Sequence, residues 1–247
     1  MTSNASKLTE QVCQAPVEAG AALPSDDSFA ASLRGFGPLG ILTILVILLT
    51  VNIPVGNITL PVGTLLVLVW AQWSRTPWRE IGYVRPTSWL ASLVVGAVFG
   101  IVFKLLMKAV VMPLLGAPPV NQAYHYLAGN TAMLPPAVWV MLVAGFGEET
   151  VFRGFMFERL GKLLGSNAGA KVATVLLTSG LFSLAHYADQ GVAGVEQAAI
   201  TGLVFGTIFA VTGRIWMLMC AHAAFDLTAV AIIYWNLEAD VAHLIFK

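Results

Sequence analysis

The residues able to do chemistry are gathered in the second half of the chain, each embedded in apolar sequence. VAGFGEETVFRGFMF carries Glu148, Glu149 and Arg153, GLFSLAH ends at His186, and CAHAAFD puts His222 and Asp226 one helical turn apart. An ionisable side chain at the centre of a membrane helix costs about 2.5 to 3.5 kcal/mol on insertion scales, so each of these is a functional candidate until otherwise explained. Carboxylates beside imidazoles move protons, and the chemistry they support is general acid–base work on water.

Helix geometry separates the two glutamates. At about 100° per residue, Glu149 and Arg153 share one stripe and neutralise each other, whereas Glu148 points elsewhere and is left free to take a proton from water. His222 and Asp226 also share a face, which lets the carboxylate fix the imidazole tautomer while the other ring nitrogen faces the site. Each feature has a structural alternative. A Glu–Arg pair can simply lock two helices, His186 can be an interfacial residue, and His222 with Asp226 can be a packing pair. Phe182, one turn before His186, reads as packing. Three polar clusters on three spans are costly unless they meet, which favours a shared site.

The elements that must position them are membrane helices. Of 247 residues, 57% are hydrophobic and 11% charged, against about 25% charged in a soluble domain. Thirteen Lys and Arg balance thirteen Asp and Glu, so no net field or basic run is available for nucleic acid, and that partner is excluded. Cys13 and Cys220 are too far apart in sequence to suggest a disulfide framework or a thiolate metal cluster. Residues 1–33 are mostly polar and small, interrupted by Pro16 and Pro24, and lack a signal-peptide core. They are expected to form a disordered tail.

From there the apolar sequence divides into about seven spans of roughly 20 residues, at 35–53, 55–73, 89–115, 134–157, 168–186, 197–212 and 215–235. The fold class is an all-α polytopic helical bundle with the active site among spans four, five and seven. Residues 34–133 supply three spans and an outer amphipathic loop, 134–236 a catalytic four-helix core, and 237–247 a short tail. Arg34, Arg75, Arg79, Arg85, Arg159, Lys162, Lys171 and Arg214 collect on one side, with Lys247 on the other. The amino terminus is therefore expected in the cytoplasm and the carboxyl terminus outside, in a bacterial inner membrane.

Lys104 and Lys108 fall in the outer half of the third span, on one helix face, where they snorkel outward or line a cavity. The uncharged loop 116–133 contains Tyr124, His125 and Tyr126 and suits the outer interface, with His125 an interfacial residue. Gly96/Gly100 and Gly202/Gly206 are GxxxG pairs for close helix packing. At 1.5 Å per residue, Glu148 and His222 lie roughly 12 to 15 Å from the cytoplasmic end and His186 about 21 Å. Tilt, a break near Gly180 or a different start of the fifth span is needed to bring them level.

Glu148-Glu149-x-x-x-Arg153, Phe182-x-x-x-His186 and His222-x-x-x-Asp226, in this order, resemble the three motifs of the CAAX-prenyl-protease and bacteriocin-processing (CPBP, Abi-type) family of intramembrane proteases. The resemblance covers about residues 134–235, and RTPWREIGYVRPTSW looks like the basic, Trp-containing loop that often precedes the family core. It implies hydrolysis of a peptide bond in a membrane-associated peptide or protein. Glu148 with His186 would activate water, and His222 with Asp226 would stabilise the oxyanion. Glu149 and Arg153 would hold the geometry, and Phe182 would pack beneath the site.

Many family members have Asn at the position of Asp226. An ionised Asp cannot donate a hydrogen bond, so here it orients His222 or is protonated. A glutamate-type mechanism needs no ion and is preferred, and HExxH is absent. The alternative is a divalent metal, zinc, held by Glu148, His186 and His222, which would lower the pKa of bound water to about 7. A different class of function also fits buried Glu, His and Asp: a non-catalytic membrane protein, either a proton-coupled transporter or a bacteriocin-immunity-type peptide binder.

Overall fold

Lipid offers no partner to backbone N–H and C=O groups, so apolar runs of this length close their hydrogen bonds within helices. The computed structural model describes residues 25–52 and 58–246, and these contain helices and no strand. The helices are α1 (Ser25–Arg34), α2 (Pro38–Asn52), α3 (Thr59–Trp73), α4 (Trp89–Leu114), α5 (Thr131–Leu164), α6 (Ala168–Ala185), α7 (Tyr187–Thr212), α8 (Trp216–Tyr234) and the short α9 (Glu238–Ala242). Helices α4 to α8 are each long and apolar enough to cross a membrane. The α1–α2 pair, bent by 53°, makes a sixth candidate span, and α3 is shorter. The protein is an integral multi-pass membrane protein, with exposed side chains such as Leu42, Leu93, Val102, Leu176 and Val211 forming its lipid-facing surface.

Two boundaries differ from expectation. Ser25–Arg34 is helical although the disordered tail was expected to reach residue 33; the rest of that tail, residues 1–24, lies outside the described residues. So do residues 53–57, where the first expected span ends and the second begins. Helix α7 begins at Tyr187, ten residues before the expected Gln197. The reason is that Asp189 and Gln190 line an internal cavity and escape the lipid that would reject them. A break at Gly191, with φ of 63°, turns this first segment relative to the rest of α7.

Helix α8 is the axis of the bundle. A Cβ at Gly100 would overlap the Ala221 carbonyl, one at Gly96 would stand 2.6 Å from the Met217 oxygen, and one at Gly145 would stand 2.5 Å from the Ala223 nitrogen. Backbones of α4 and α5 therefore clasp α8 at distances that only small residues allow. Gly202 and Gly206 bring α7 against Ser179 and Val175 of α6 in the same way.

At the basic end, loop 74–88 tucks under the bundle. Gly82 takes a φ of 83°, and its carbonyl accepts from the Ile215 N–H at 3.0 Å. The next residue, Tyr83, is wedged between Trp78 and Trp216 and shares a 2.8 Å hydrogen bond with the Thr150 hydroxyl. Nearby, Glu80 pairs with Arg34 at 2.7 Å and Lys162 at 3.5 Å, and Glu158 pairs with Arg159 and Lys162. Burial alone would raise the Glu80 carboxyl. The Arg34 and Lys162 cations outweigh it and hold the group below its ordinary value.

At the other end, Glu238 of α9 fastens the loop before α5. Its Oε1 accepts from Lys108 at 3.2 Å and from the Asn121 N–H at 2.8 Å, while His125 Nδ1 stands 3.7 Å from Oε2. Lys108 also donates to the Pro119 carbonyl at 2.6 Å.

Candidate active site

Helix α5 delivers its polar groups through a local widening. Glu148 ends a regular α-helical stretch, and Glu149–Phe155 winds as a π-helix before the α-helix resumes, a distortion that commonly accompanies functional residues. From α8, His222 inserts its ring between the two glutamates. His222 Nδ1 donates to Glu149 Oε1 at 2.8 Å, and Arg153 Nη1 donates to the same oxygen at 2.9 Å. The three form a buried chain, Arg153 to Glu149 to His222, in which the imidazole is oriented from behind.

The other ring nitrogen, Nε2, then faces Glu148 Oε2 at 3.5 Å and Asp226 Oδ2 at 3.7 Å. This corrects two expectations. Asp226 was expected to fix the tautomer of His222, but the hydrogen bond that does so comes from Glu149. Glu148 was expected to point away from its neighbour's partner, but both carboxylates reach one imidazole at opposite nitrogens. Within a single helix the 100° separation holds. What it omits is a ring presented edge-on by another helix, which two adjacent residues can bracket.

His186 stands at the carboxyl end of α6. Its Nδ1 donates to the Phe182 carbonyl at 2.8 Å, so the ring leans back along the helix and leaves Nε2 to accept. This lean, toward the amino-terminal end of the helix, is how a residue apparently deeper than Glu148 and His222 comes to share their space. Phe182 is the common floor. Its ring contacts those of His186 and His222 edge-on at centroid distances of 4.7 and 6.0 Å, and the Arg153 guanidinium lies 4.7 Å from its centroid. Phe205 of α7 flanks His222 at 5.5 Å on another side.

Glu148, Phe182, His186, His222 and Asp226 line one cavity of about 410 Å³, while Glu149 and Arg153 lie behind its wall, almost completely buried. The cavity runs toward the end of the bundle opposite the basic loops, where Asn121, Tyr124 and Leu127 of the loop and Asp189 and Gln190 of α7 border it. The Tyr124 hydroxyl accepts from Gln190 Nε2 at 3.4 Å. Burial, reinforced by the charges of Asp226, Glu148 and Asp189, pushes the Tyr124 phenol up, so it stays a neutral donor at neutral pH.

Among the described residues no three His, Cys, Asp or Glu side chains are grouped to hold a metal ion. Glu148 and His222 approach one another, but His186 does not close on them as a third ligand. The set Glu148, His186 and His222 is therefore not a preformed zinc site in this geometry. What the arrangement offers is a carboxylate and two imidazole nitrogens facing one polar cavity, with the imidazole of His222 locked by a buried carboxylate–arginine pair. Tyr124, Gln190 and Gln197 join this cavity without belonging to any sequence motif. Lys104 joins it too, and its charge within an apolar span was the one signal that marked it.

Residues 130–228 match a family model, that of the Rce1-like type II CAAX prenyl endopeptidases. The match contains every residue of the three motifs, in agreement with the family resemblance they carry. No curated protein and no solved structure gives a significant match.

Proposed function

We propose that this chain, CAAX-endopeptidase-like over residues 130–228, is an intramembrane endopeptidase that hydrolyses a peptide bond in a membrane-associated peptide or protein. The observation that carries the reading is the convergence of Glu148, His186, His222 and Asp226, from three helices, on one cavity. A lone buried carboxylate is a packing cost, whereas a carboxylate and two imidazoles sharing a polar cavity are equipped to handle the protons of a hydrolysis.

In the mechanism, Glu148 takes a proton from water in the cavity, helped by His186, whose Nε2 is the accepting nitrogen. The resulting hydroxide attacks the scissile carbonyl carbon. Electrons move onto the carbonyl oxygen, and His222, protonated on Nε2, donates to this oxyanion. Collapse of the tetrahedral intermediate breaks the C–N bond, and the proton taken up by Glu148 passes to the departing amine. Glu149 and Arg153 keep the His222 ring in place throughout. Asp226 faces the same nitrogen and steers it. With the basic loops on the cytoplasmic side, the cavity opens toward the outside, and the bond to be cut is presented from there.

The test is Glu148→Gln, which keeps the shape and removes the base. Processing of a membrane peptide should fall by about 10² to 10⁴-fold, with unchanged membrane insertion and helicity. Unchanged processing would reject the reading. Activity lost on chelation and restored by one stoichiometric divalent metal would replace the glutamate-type mechanism with a metal-dependent one.

A further inference from the structure

Lys104 and Lys108 lie one turn apart on α4, and their surroundings differ. Lys108 is compensated by Glu238 at 3.2 Å and by the Pro119 carbonyl. Lys104 is only 7% exposed. Among the described residues its one hydrogen bond goes to a neutral acceptor, the Gln197 amide oxygen at 2.9 Å, and no carboxylate lies within the 4.0 Å of an ion pair. Its ammonium sits 4.6 Å from the centroid of the Phe225 ring. The Asp226 charge acts on it from beyond ion-pair distance, and that carboxylate faces His222.

An ammonium carries three N–H donors and no acceptor, so two donors of Lys104 have no protein partner. Lys104 and Gln197 line the cavity of the candidate active site and also an adjoining cavity of about 480 Å³. The lysine thus stands at the junction of two spaces, deep in the bundle, with spare donors and an unbalanced positive charge. The ligand chemistry that completes it is a carboxylate. In a cavity lined by a peptide-cleaving set, two carboxylates are on offer: the chain end and an acidic side chain of the substrate.

Resting on the endopeptidase reading above, we propose that Lys104, supported by Gln197, binds a substrate carboxylate, and that this is the α-carboxylate of the substrate's C-terminus. The enzyme then measures its cleavage from the chain end and releases a short C-terminal peptide. Lys104 is in this sense a specificity-determining residue, distinct from the groups that activate water.

The experiment uses the full chain in lipid nanodiscs and an S-farnesyl peptide ending in Cys-Val-Ile-Met, made with a free α-carboxylate or an α-carboxamide. A third peptide has the carboxamide end and an Asp introduced upstream of the Cys. Affinity is measured on Glu148→Gln protein, and cleavage on wild type. The expected result is an affinity about tenfold to a hundredfold higher for the carboxylate than for the carboxamide, with the difference lost in Glu148→Gln/Lys104→Met and kept in Glu148→Gln/Lys104→Arg. Lys104→Gln, closer in polarity, replaces the methionine variant if that one fails to fold.

Equal affinity for both ends overturns the proposal, as does a preference that survives removal of the lysine. Recovery of tight binding by the Asp-containing carboxamide peptide would assign the lysine to a side chain and overturn the chain-end claim. If Lys104→Met slows cleavage of all peptides alike and Asp226→Asn restores it, the lysine serves only to balance Asp226. Carboxylate-selective binding without any cleavage by wild type would leave the lysine's role standing and reject the peptidase.

Discussion

At the basic end of the bundle two carboxylates, Glu80 and Glu158, share three cations, Arg34, Arg159 and Lys162. Around His222 the proportion is reversed: Glu148, Glu149 and Asp226 all approach one imidazole, and the arginine that accompanies them, Arg153, pairs with Glu149 alone. The first cluster ties α1, loop 74–88 and α5 together, with Trp70 Nε1 donating to the Leu33 carbonyl at 3.1 Å beside it. It is a closure. The second leaves carboxylates facing a cavity without cations of their own, an arrangement poor for stability and suited to proton transfer. A membrane bundle can thus separate the charges that hold it from the charges that work by placing them at different depths.

The contrast breaks first at Glu149, which belongs to both kinds of cluster. Glu149→Gln should remove the anchor of the His222 ring and leave Arg153 buried beside a neutral amide. Loss of activity by about 10² to 10⁴-fold is expected, together with destabilisation of about 3 to 5 kcal/mol. Peptide cleavage and thermal unfolding in detergent measure the two effects, and a stable, active variant would show the chain from Arg153 to His222 to be dispensable.

Tyr83→Phe probes the link between the two regions, since its hydroxyl reaches Thr150, the residue after Glu149. Loss of this bond should cost about 1 kcal/mol and leave catalysis nearly intact, as read by unfolding temperature against turnover. A large drop in turnover with normal stability would mean that the loop positions the site directly.

The smallest effect is expected at Glu80. Its partly exposed ion pairs contribute less than about 1 kcal/mol. Its carboxyl is held below the ordinary value of 4.5, so its contribution is present above that value and fades as pH falls through the lower, folded-state value. Glu80→Gln should therefore match wild-type unfolding in acid and fall slightly below it at neutral pH. A gap that widens on acidification would contradict the sign.

Most of the helices were legible because lipid imposes a length and a composition on each span. Trp89–Leu114, Ala168–Ala185 and Trp216–Tyr234 agree with the expected limits to within a residue or so. The early start of α7 was hidden because Asp189 and Gln190 look unfit for a membrane until the cavity they face is known. The motif residues were legible as charges out of place, but their partnerships were not. Which carboxylate orients His222 depends on how α8 crosses α5 and on the π-helical stretch after Glu148, neither of which leaves a periodic trace. Tyr124 and Gln197 carry no local oddity at all, and only packing brings them to the cavity.

Glu238 lies beyond the last spanning helix, in a segment that looks like an expendable tail, yet it holds Lys108 and the backbone of Asn121. Cutting the chain after Leu237 would therefore do more than trim an end. It would strand a lysine inside the bundle and unlatch the roof of the reaction chamber, so that truncation at the far terminus alters who enters and how long they stay.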